Sequence, residues 1–311
     1  MMLSASNGTL VPALSTCVWA RARVGATTAW DMCTYPRSVD RWVSGAVQRS
    51  GCWIECSDVD WMLRMLAAHK DSELLDFGGN IGFYTGAAAA AGHAVSVFEP
   101  SPDNAMHLLA TVRHNGWRHV TLFTLCVSDS MSPCVLSGHR DNQGSLQHDM
   151  GYAVAGAGGS GGGAAPTTAG AALTRAAKHP KGWRRGMVTT MAVRVDDVLP
   201  PRARPTFLKI DIEGSECAAF RGMVRLLNES ERIIGALVEF DKSHKCCNEL
   251  IQSPTGAFWM LSHRHGLCAY QAPIARSAHL SHTSLSSLCE LHGSSKQLNL
   301  QWKPCMTTRT R

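Results

Sequence analysis

The stretch that decides the fold reads Phe207-Leu208-Lys209-Ile210-Asp211-Ile212-Glu213-Gly214-Ser215-Glu216. An apolar run of strand length ends in two carboxylates, and a glycine and a serine then open a helix. A second stretch of the same kind lies upstream, Leu74-Leu75-Asp76-Phe77-Gly78-Gly79-Asn80-Ile81-Gly82. In open parallel sheets, ligands bind beyond the carboxyl ends of the strands. Both stretches therefore indicate a ligand site rather than a core.

Strand and helix patterns alternate around these two stretches. The spacing of apolar residues predicts strands over residues 74–77, 94–98, 120–127, 206–212 and 233–240, and helices over residues 58–69, 83–91, 103–115 and 215–228. This alternation predicts an α/β fold with a mostly parallel central sheet flanked by helices. Ser57 or Asp58 is the expected cap of the first helix, Asp103 is the expected cap of the third, and Gly116 is expected to close the third.

Composition divides the chain into five parts. We expect an irregular N-terminal arm over residues 1–50, the cofactor-side half of a domain over 51–150, a flexible glycine-rich and basic insert over 151–190, the second half over 191–303 and a basic tail over 304–311. Residues 151–173 hold eight glycines and almost no large side chain, so they cannot bury enough apolar area to offset their ordering entropy. The five basic side chains of residues 178–185 indicate a solvated loop, with a lid or a contact to an acidic substrate as the alternative.

Charge and hydropathy exclude several classes of protein. The net charge of the 311 residues is +6, and the Lys and Arg residues are scattered rather than arranged in a stripe, so we predict no nucleic-acid partner. No apolar run approaches the length of a membrane span, and we predict no integral membrane segment. The first thirty residues contain no Asp or Glu, which weakly resembles an organelle transit peptide; the alternative is a disordered or incomplete N-terminus.

The twelve cysteines form no recognisable framework. Cys52 and Cys56 are four apart, Cys246 and Cys247 are adjacent, and the rest are isolated. No paired CxxC units occur, so we predict no metal site. The pattern favours reduced thiols in an intracellular, cytoplasmic protein, and the alternative is a secreted protein with a few disulfides.

The glycine-rich stretch indicates the class of ligand. Gly78 and Gly79 are expected to let the backbone approach a ligand, and Gly82 to allow tight helix packing. The spacing is G-G-x-x-G rather than the G-x-G-x-x-G of dinucleotide enzymes, which disfavours a nicotinamide-dependent oxidoreductase. Asp76 and Asn80 flank this loop, and an acidic side chain suits a ligand that carries an ammonium or a hydroxyl.

Glu99 ends the next strand. A carboxylate in this position can accept two hydrogen bonds from a ribose diol, and the alternative is a surface acid that caps the following helix. Together with the glycine loop, Glu99 describes a nucleoside ligand with a positively charged appendage. S-adenosylmethionine has this chemistry.

These motifs carry a resemblance to a known family. The chain resembles the FkbM-type methyltransferases, a branch of the Rossmann-like S-adenosylmethionine-dependent enzymes, over roughly residues 70–240 without the insert. The similar motifs lie at residues 75–84, 98–102, 127–129, 195–199 and 207–216. Gly79 stands where the family usually has alanine. The resemblance implies a Rossmann-like class I methyltransferase fold and O-methylation of a small-molecule, sugar or lipid-linked acceptor.

The site residues follow from the motifs and from the resemblance. The expected cofactor-binding residues are Asp76, Gly78, Gly79, Asn80, Gly82, Glu99 and Asp129, with the adenine contact of Asp129 implied by the resemblance alone. Residues 142–146 are similar to a loop that the family places near the acceptor. Ser215 and Glu216 are expected to cap their helix.

Methyl transfer holds the acceptor, the methyl carbon and the sulfur in one line, and an oxygen acceptor must also lose a proton. We expect Asp211 to orient the acceptor hydroxyl or take its proton, and Glu213 to share that role or bind the acceptor. Lys209 pairs with a site carboxylate or reaches solvent. Glu239 is expected to line the acceptor pocket, and His244 is a candidate base. The residues alone do not exclude a nitrogen acceptor, and the competing interpretation is a non-catalytic binding module that keeps the fold.

Overall fold

The computed structural model describes residues 2–4, 17–139, 142–148, 152–154, 173–175, 183–240, 261, 265, 267–272 and 298–304. The strands, in chain order, are β1 (Met2–Ser4), β2 (Val18–Val24), β3 (Thr28–Thr34), β4 (Glu73–Phe77), β5 (Ala94–Phe98), β6 (Val120–Phe123), β7 (Cys126–Val127), β8 (Ser132–His139), β9 (Asn142–His148), β10 (Tyr152–Val154), β11 (Leu173–Arg175), β12 (Trp183–Val193), β13 (Thr206–Ile210), β14 (Ile233–Phe240), β15 (Leu267–Ala272) and β16 (Leu298–Pro304). The helices are α1 (Val43–Ser50), α2 (Cys56–Ala67), α3 (Phe83–Ala90), α4 (Pro102–His114), α5 (Val195–Val198), α6 (Glu216–Gly222) and α7 (Val224–Glu229).

The main sheet has eight strands in the order β1-β6-β5-β4-β13-β14-β16-β15. The five central strands, β6 to β14 in this order, pair in parallel, and β1, β16 and β15 pair antiparallel at the two sides. The predicted Rossmann-like α/β fold is therefore confirmed. The chain order reverses between β4 and β13, and such a reversal is where open α/β sheets bind their ligands.

Both faces of the central sheet are buried. Leu74 and Phe207 belong to an apolar cluster with side chains of α2, α3 and α4. Their chain neighbours Leu75 and Leu208 belong to a second cluster with side chains of α6 and α7. Successive residues of a strand point to opposite faces, so a strand covered on both sides reads as a continuous apolar run.

The irregular arm expected over residues 1–50 is wrong for the described residues 17–50, which form regular structure. β2 and β3 form an antiparallel hairpin, and α1 follows. Alternate hairpin residues are buried at 3% exposure or less, namely Ala22, Val24, Trp30 and Met32. Asp40 accepts hydrogen bonds from the backbone N–H groups of residues 42, 43 and 44 at 3.1, 3.2 and 2.8 Å and so caps the start of α1.

The helix caps also differ from expectation. Ser101 rather than Asp103 caps α4. The helix begins at Pro102, directly after Ser101 and one residue earlier than expected, and proline is favoured in the first turn of a helix. Gly116 follows the end of α4 with a φ of 69°, which confirms that glycine closes this helix. Neither Ser57 nor Asp58 caps α2, since that helix already begins at Cys56.

The helix expected over residues 215–228 is divided into α6 and α7. The carboxylate of Asp196 accepts hydrogen bonds from the backbone N–H groups of Arg225 and Leu226, both at 2.8 Å. This remote carboxylate supplies the cap that starts α7, so the second helix begins independently of the first.

The strand expected over residues 120–127 is divided as well. β7 leaves the main sheet and pairs with β12 in a four-stranded sheet of order β7-β12-β8-β9. β12 begins at residue 183. Residues 183–185, which were expected in a loop, therefore lie in a strand, and the strand begins before residue 190, the expected end of the insert. Residues 142–146, expected in a loop, lie in β9. Most of the glycine-rich insert lies outside the described residues.

The expectation of reduced thiols is wrong for the described part of the chain. Three pairs are disulfide-bonded, Cys17–Cys33, Cys52–Cys56 and Cys126–Cys134, with Cα atoms 5.3, 6.0 and 6.4 Å apart. Two of these pairs join segments that the fold brings together, which sequence spacing alone does not reveal. No helix in the described ranges is long and apolar enough to cross a bilayer.

Candidate active site

A cavity of about 280 Å³ opens where the strand order reverses. The loop after β4 and the end of β5 line one side, with Gly78, Asn80 and Glu99. The end of β13 lines the other side, with Asp211 and Glu213. The stretches at residues 74–82 and 207–216 therefore meet across one cavity.

Glu99 links the glycine loop to the start of α4. Its Oε2 accepts the backbone N–H of Asn80 at 2.8 Å, and its Oε1 accepts the backbone N–H of Ser101 at 2.8 Å and the Asn104 amide at 3.4 Å. The side chain is buried, and burial raises the pKa of Glu99 to about 7 even though these hydrogen bonds lower it. Glu99 is not the surface acid of the alternative interpretation. A carboxylate offers about four acceptor positions and three are occupied here, so one remains for a hydroxyl group of a ligand.

The glycines of the loop are required by the protein itself. A Cβ on Gly78, whose φ is 86°, would lie 1.8 Å from the carbonyl oxygen of Asp211. A Cβ on Gly79 would lie 2.2 Å from Val97 Cγ2, and one on Gly82 would lie 3.0 Å from Leu108 Cγ. The sequence suggested that Gly78 and Gly79 let the backbone approach a ligand. The atoms closest to these two glycines belong to residues of this chain. The packing role expected of Gly82, against α4, is present.

Asp76 lies behind the cavity rather than on its lining. The side chain is fully buried, and its Oδ2 accepts a hydrogen bond from Thr85 Oγ1 at 2.7 Å. Lys209 Nζ lies 3.7 Å from Asp76 Oδ1. Burial raises the pKa of Asp76, and the Lys209 ammonium opposes this shift. Lys209 therefore places an ammonium of the chain itself beside this carboxylate, and a role of Asp76 in cofactor binding stays a prediction.

Lys209 joins the two halves of the site. Its Nζ donates to the carbonyl oxygen of Gly78 at 2.7 Å and lies 3.3 Å from Asp211 Oδ2. Burial alone would lower the pKa of Lys209, but the carboxylates of Asp211 and Asp76 hold it above its ordinary value. Lys209 therefore pairs with site carboxylates and does not reach solvent.

The turn after β13 places Asp211 and Glu213 on the cavity. The backbone N–H of Asp211 donates to Phe77 O at 3.0 Å, which continues the pairing with β4 past the strand end. Glu213 has a φ of 52°, a left-handed conformation that is uncommon for residues other than glycine. Such conformations cluster at functional sites, where the surrounding structure holds them.

Glu216 rather than Ser215 anchors this turn. Glu216 Oε1 accepts the backbone N–H groups of Gly214 at 3.0 Å and Ile212 at 3.3 Å. The Ser215 side chain makes no capping hydrogen bond and lines the cavity instead. The expected helix cap from the Ser215 side chain is thus absent, and Glu216 holds the turn before the helix by bonding N–H groups that precede α6.

Sequence reasoning missed the residues that reach the cavity from the N-terminal side. Trp42, Trp53, Ile54 and Glu55 all line it. Glu55 Oε2 accepts a hydrogen bond from Tyr84 OH at 2.8 Å. Burial and the nearby Asp211 raise the pKa of Glu55 to about 7, and the Tyr84 hydrogen bond lowers it. The one available signal was the close pair of cysteines on either side of this segment.

The C-terminal side adds Glu239, which lines the cavity as expected. Burial, with Asp211 and Glu55 nearby, raises the pKa of Glu239 to about 9. Within the described part of the chain, no group of three or more His, Cys, Asp or Glu residues could hold a metal ion. His244 lies outside the described residues.

Asp129 does not line the cavity. Its Oδ2 accepts a hydrogen bond from Arg221 Nε at 2.8 Å, and both side chains are more than a third exposed. The Arg221 hydrogen bond lowers the pKa of Asp129. The apolar wall on this side is formed by Phe98, Leu125 and Val127. An adenine contact from Asp129 stays a prediction.

Comparisons with known proteins give a family match and a set of structural neighbours. The family model described as the methyltransferase FkbM domain matches residues 76–257, more than half of the chain. No curated protein matches the sequence. Among solved structures, precorrin-6y C5,15-methyltransferase from Geobacter metallireducens is similar at 11% identity and a TM-score of 0.36, over 80% of this chain and 87% of that chain. The YcgJ protein from Bacillus subtilis is similar at 8% identity and a TM-score of 0.35, over 80% of this chain and 99% of that chain. At these TM-scores neither neighbour supports a functional conclusion.

Proposed function

The chain belongs to the FkbM methyltransferase family, and from this premise we propose that it transfers the methyl group of S-adenosylmethionine to a hydroxyl of a sugar or sugar-containing acceptor. The observation that carries the proposal is the single cavity in which Glu99 and the Gly78–Asn80 loop face Asp211 and Glu213. Residues suited to a nucleoside and residues suited to a hydroxyl acceptor thus share one enclosed space.

The cofactor side has the groups that S-adenosylmethionine requires. Glu99 would accept a hydrogen bond from a ribose hydroxyl at its remaining acceptor position, and the backbone at Gly78 and Asn80 would border the amino-acid portion. Phe98, Leu125 and Val127 provide an apolar surface suited to adenine. When bound, the cofactor supplies a methyl group on a positively charged sulfur, and the carboxylates around the cavity favour that charge.

The acceptor side combines aromatic and acidic side chains. Trp42 is 58% exposed and Ile54 is 78% exposed at the edge of the cavity, and Trp53 lies beside them. Sugars present apolar C–H faces and hydroxyl donors together, so an aromatic rim above Asp211 and Glu213 suits a sugar ring. Asp211, held by Lys209, would orient the acceptor hydroxyl.

The test is transfer of label from methyl-labelled S-adenosylmethionine into an extract of the source cells, followed by identification of the product. We expect label in a methyl ether of a glycan or glycoconjugate. Label on nitrogen, or in a product without sugar, would replace the proposed acceptor but keep the methyltransferase activity. Absence of transfer by folded protein with every acceptor fraction would contradict the proposed function.

A further inference from the structure

The loop between Cys52 and Cys56 is a separate structural device beside the cavity. A disulfide closes it, and the residues between the two cysteines, Trp53, Ile54 and Glu55, all line the cavity. The loop precedes residue 76, where the match to the family begins. These side chains therefore reach the cavity from outside the residues that the family model matches.

Glu55 occupies the innermost position of this loop. Its carboxylate is half-buried and lines both the main cavity and a narrow recess that Tyr84, Lys209, Asp211 and Glu239 also line. Tyr84 OH donates to Oε2 at 2.8 Å, which fixes the orientation of the carboxylate. The second oxygen gives the group a further acceptor atom.

Four carboxylates line the recess, Glu55, Asp58, Asp211 and Glu239, and the three of them other than Asp58 differ in their suitability for taking a proton. Asp211 lies 3.3 Å from Lys209 Nζ, and this ion pair suits it to orient a hydroxyl. The raised pKa of Glu239, about 9, keeps that group protonated at neutral pH. The pKa of Glu55, about 7, lies near the operating pH at which a general base is most effective.

We propose that Glu55 is the general base that removes the proton from the acceptor hydroxyl, while Asp211 orients that hydroxyl. This inference rests on the proposed function. The acceptor oxygen forms a bond to the methyl carbon, the bond from that carbon to sulfur breaks with its electron pair left on sulfur, and the hydroxyl proton passes to the Glu55 carboxylate. Glu55 then releases the proton to solvent.

The pH dependence follows from the groups that face Glu55. These are Asp58 on α2, Tyr84 on α3, Lys209 on β13, Asp211 directly after β13, and Glu239 on β14. Turnover requires the ionised carboxylate, so it should rise with pH through a pKa of about 7. The Tyr84 hydrogen bond lowers the pKa of Glu55, so Tyr84→Phe should move this rise to higher pH.

The first test is Glu55→Gln, which keeps the size of the side chain and an acceptor for Tyr84. We expect transfer of label into the source-cell extract to fall about a hundredfold or more, with S-adenosylmethionine affinity changed less than about twofold. Asp60→Asn is the matched control, because it removes an exposed carboxylate from α2, the helix that follows Glu55. The control should keep wild-type transfer.

A second readout needs no turnover. The infrared difference spectrum between wild type and Glu55→Gln should contain a carboxyl band that disappears as pH rises through about 7, and Tyr84→Phe should shift that transition to higher pH. Glu55 is not the base if Glu55→Gln transfers label as fast as wild type. The same holds if turnover of Tyr84→Phe rises with pH over the same range as turnover of wild type. If wild type transfers no label while remaining folded, the proposed function itself falls and the role of Glu55 with it.

Discussion

Lys209 Nζ donates a hydrogen bond to the carbonyl oxygen of Gly78 at 2.7 Å, so β13 holds the loop that follows β4. The same ammonium lies 3.3 Å from Asp211 and 3.7 Å from Asp76. One buried cation thus fixes the proposed cofactor loop and the proposed acceptor-side carboxylate relative to each other. A substitution of Lys209 should therefore disturb the positions of residues on both sides of the cavity.

Lys209→Met should be strongly destabilising. The substitution removes the cation beside the fully buried Asp76. Removing one partner of a buried charge pair lowers the free energy of unfolding by about 3–5 kcal/mol. Urea unfolding of the variant against wild type measures the loss. Lys70→Met, at an exposed position, is the control and should change stability by less than about 0.5 kcal/mol. A Lys209 variant as stable as this control would show that the ammonium does not hold the site.

Gly78→Ala should damage both fold and site, and Gly116→Ala is its matched control. Both glycines have positive φ, 86° and 69°, so both variants carry the cost of a left-handed alanine, about 1–2 kcal/mol. Only at position 78 does the added Cβ meet backbone, 1.8 Å from the carbonyl oxygen of Asp211, whereas at position 116 nothing lies within 4 Å.

We therefore expect Gly78→Ala to lose at least about 2 kcal/mol more than Gly116→Ala in urea unfolding, and to lose S-adenosylmethionine binding in calorimetry. Equal losses in the two variants would mean that the contact between Gly78 and Asp211 is not as close as described.

The Cys52–Cys56 disulfide should hold Glu55 in place. The double variant Cys52→Ser with Cys56→Ser should lower the free energy of unfolding by about 2 kcal/mol, because the closed loop is short. It should also lower methyl transfer more than cofactor affinity, since the loop lines the acceptor side. The double variant Cys17→Ser with Cys33→Ser should lower stability without this selective loss.

Alkylation followed by mass spectrometry checks the premise directly. Cys52 and Cys56 should take up label only after reduction. Full alkylation of the unreduced, folded protein would rule out the disulfide. Disulfides form and persist in oxidising compartments, so the protein should be isolated without added reductant for this test.

The sequence predicted the central sheet and the residues at its strand ends. Glu99, Asp211 and Glu213 were found because an apolar run that ends in a carboxylate is visible without knowledge of the fold. Asp76 was found by the same rule, but its burial and its Lys209 partner depend on the packing of β13 against β4. A strand end therefore locates a site without deciding which side chains reach its surface.

The residues that the sequence did not reveal come from segments without regular periodicity. Glu55 lies in a loop, and its place in the site results from the disulfide and from the packing of α2. Asp129 follows a recognised motif but pairs with Arg221, a partner 92 residues away that only the fold brings close. The hairpin over residues 18–34 is an exception, because its exposed Arg21 and Arg23 alternate with buried Ala22 and Val24, which is the period of a half-buried strand.

The most direct test is a calorimetric titration of the folded protein with S-adenosylmethionine, with Glu99→Gln beside wild type. We expect saturable binding to one site in wild type and at least about tenfold weaker binding in Glu99→Gln, since the charged acceptor for a ribose hydroxyl is lost. Glu229→Gln, at an exposed position on α7, should bind as wild type does. No heat of binding with folded wild-type protein, or equal affinity in wild type and Glu99→Gln, would contradict the assignment of this cavity to the cofactor.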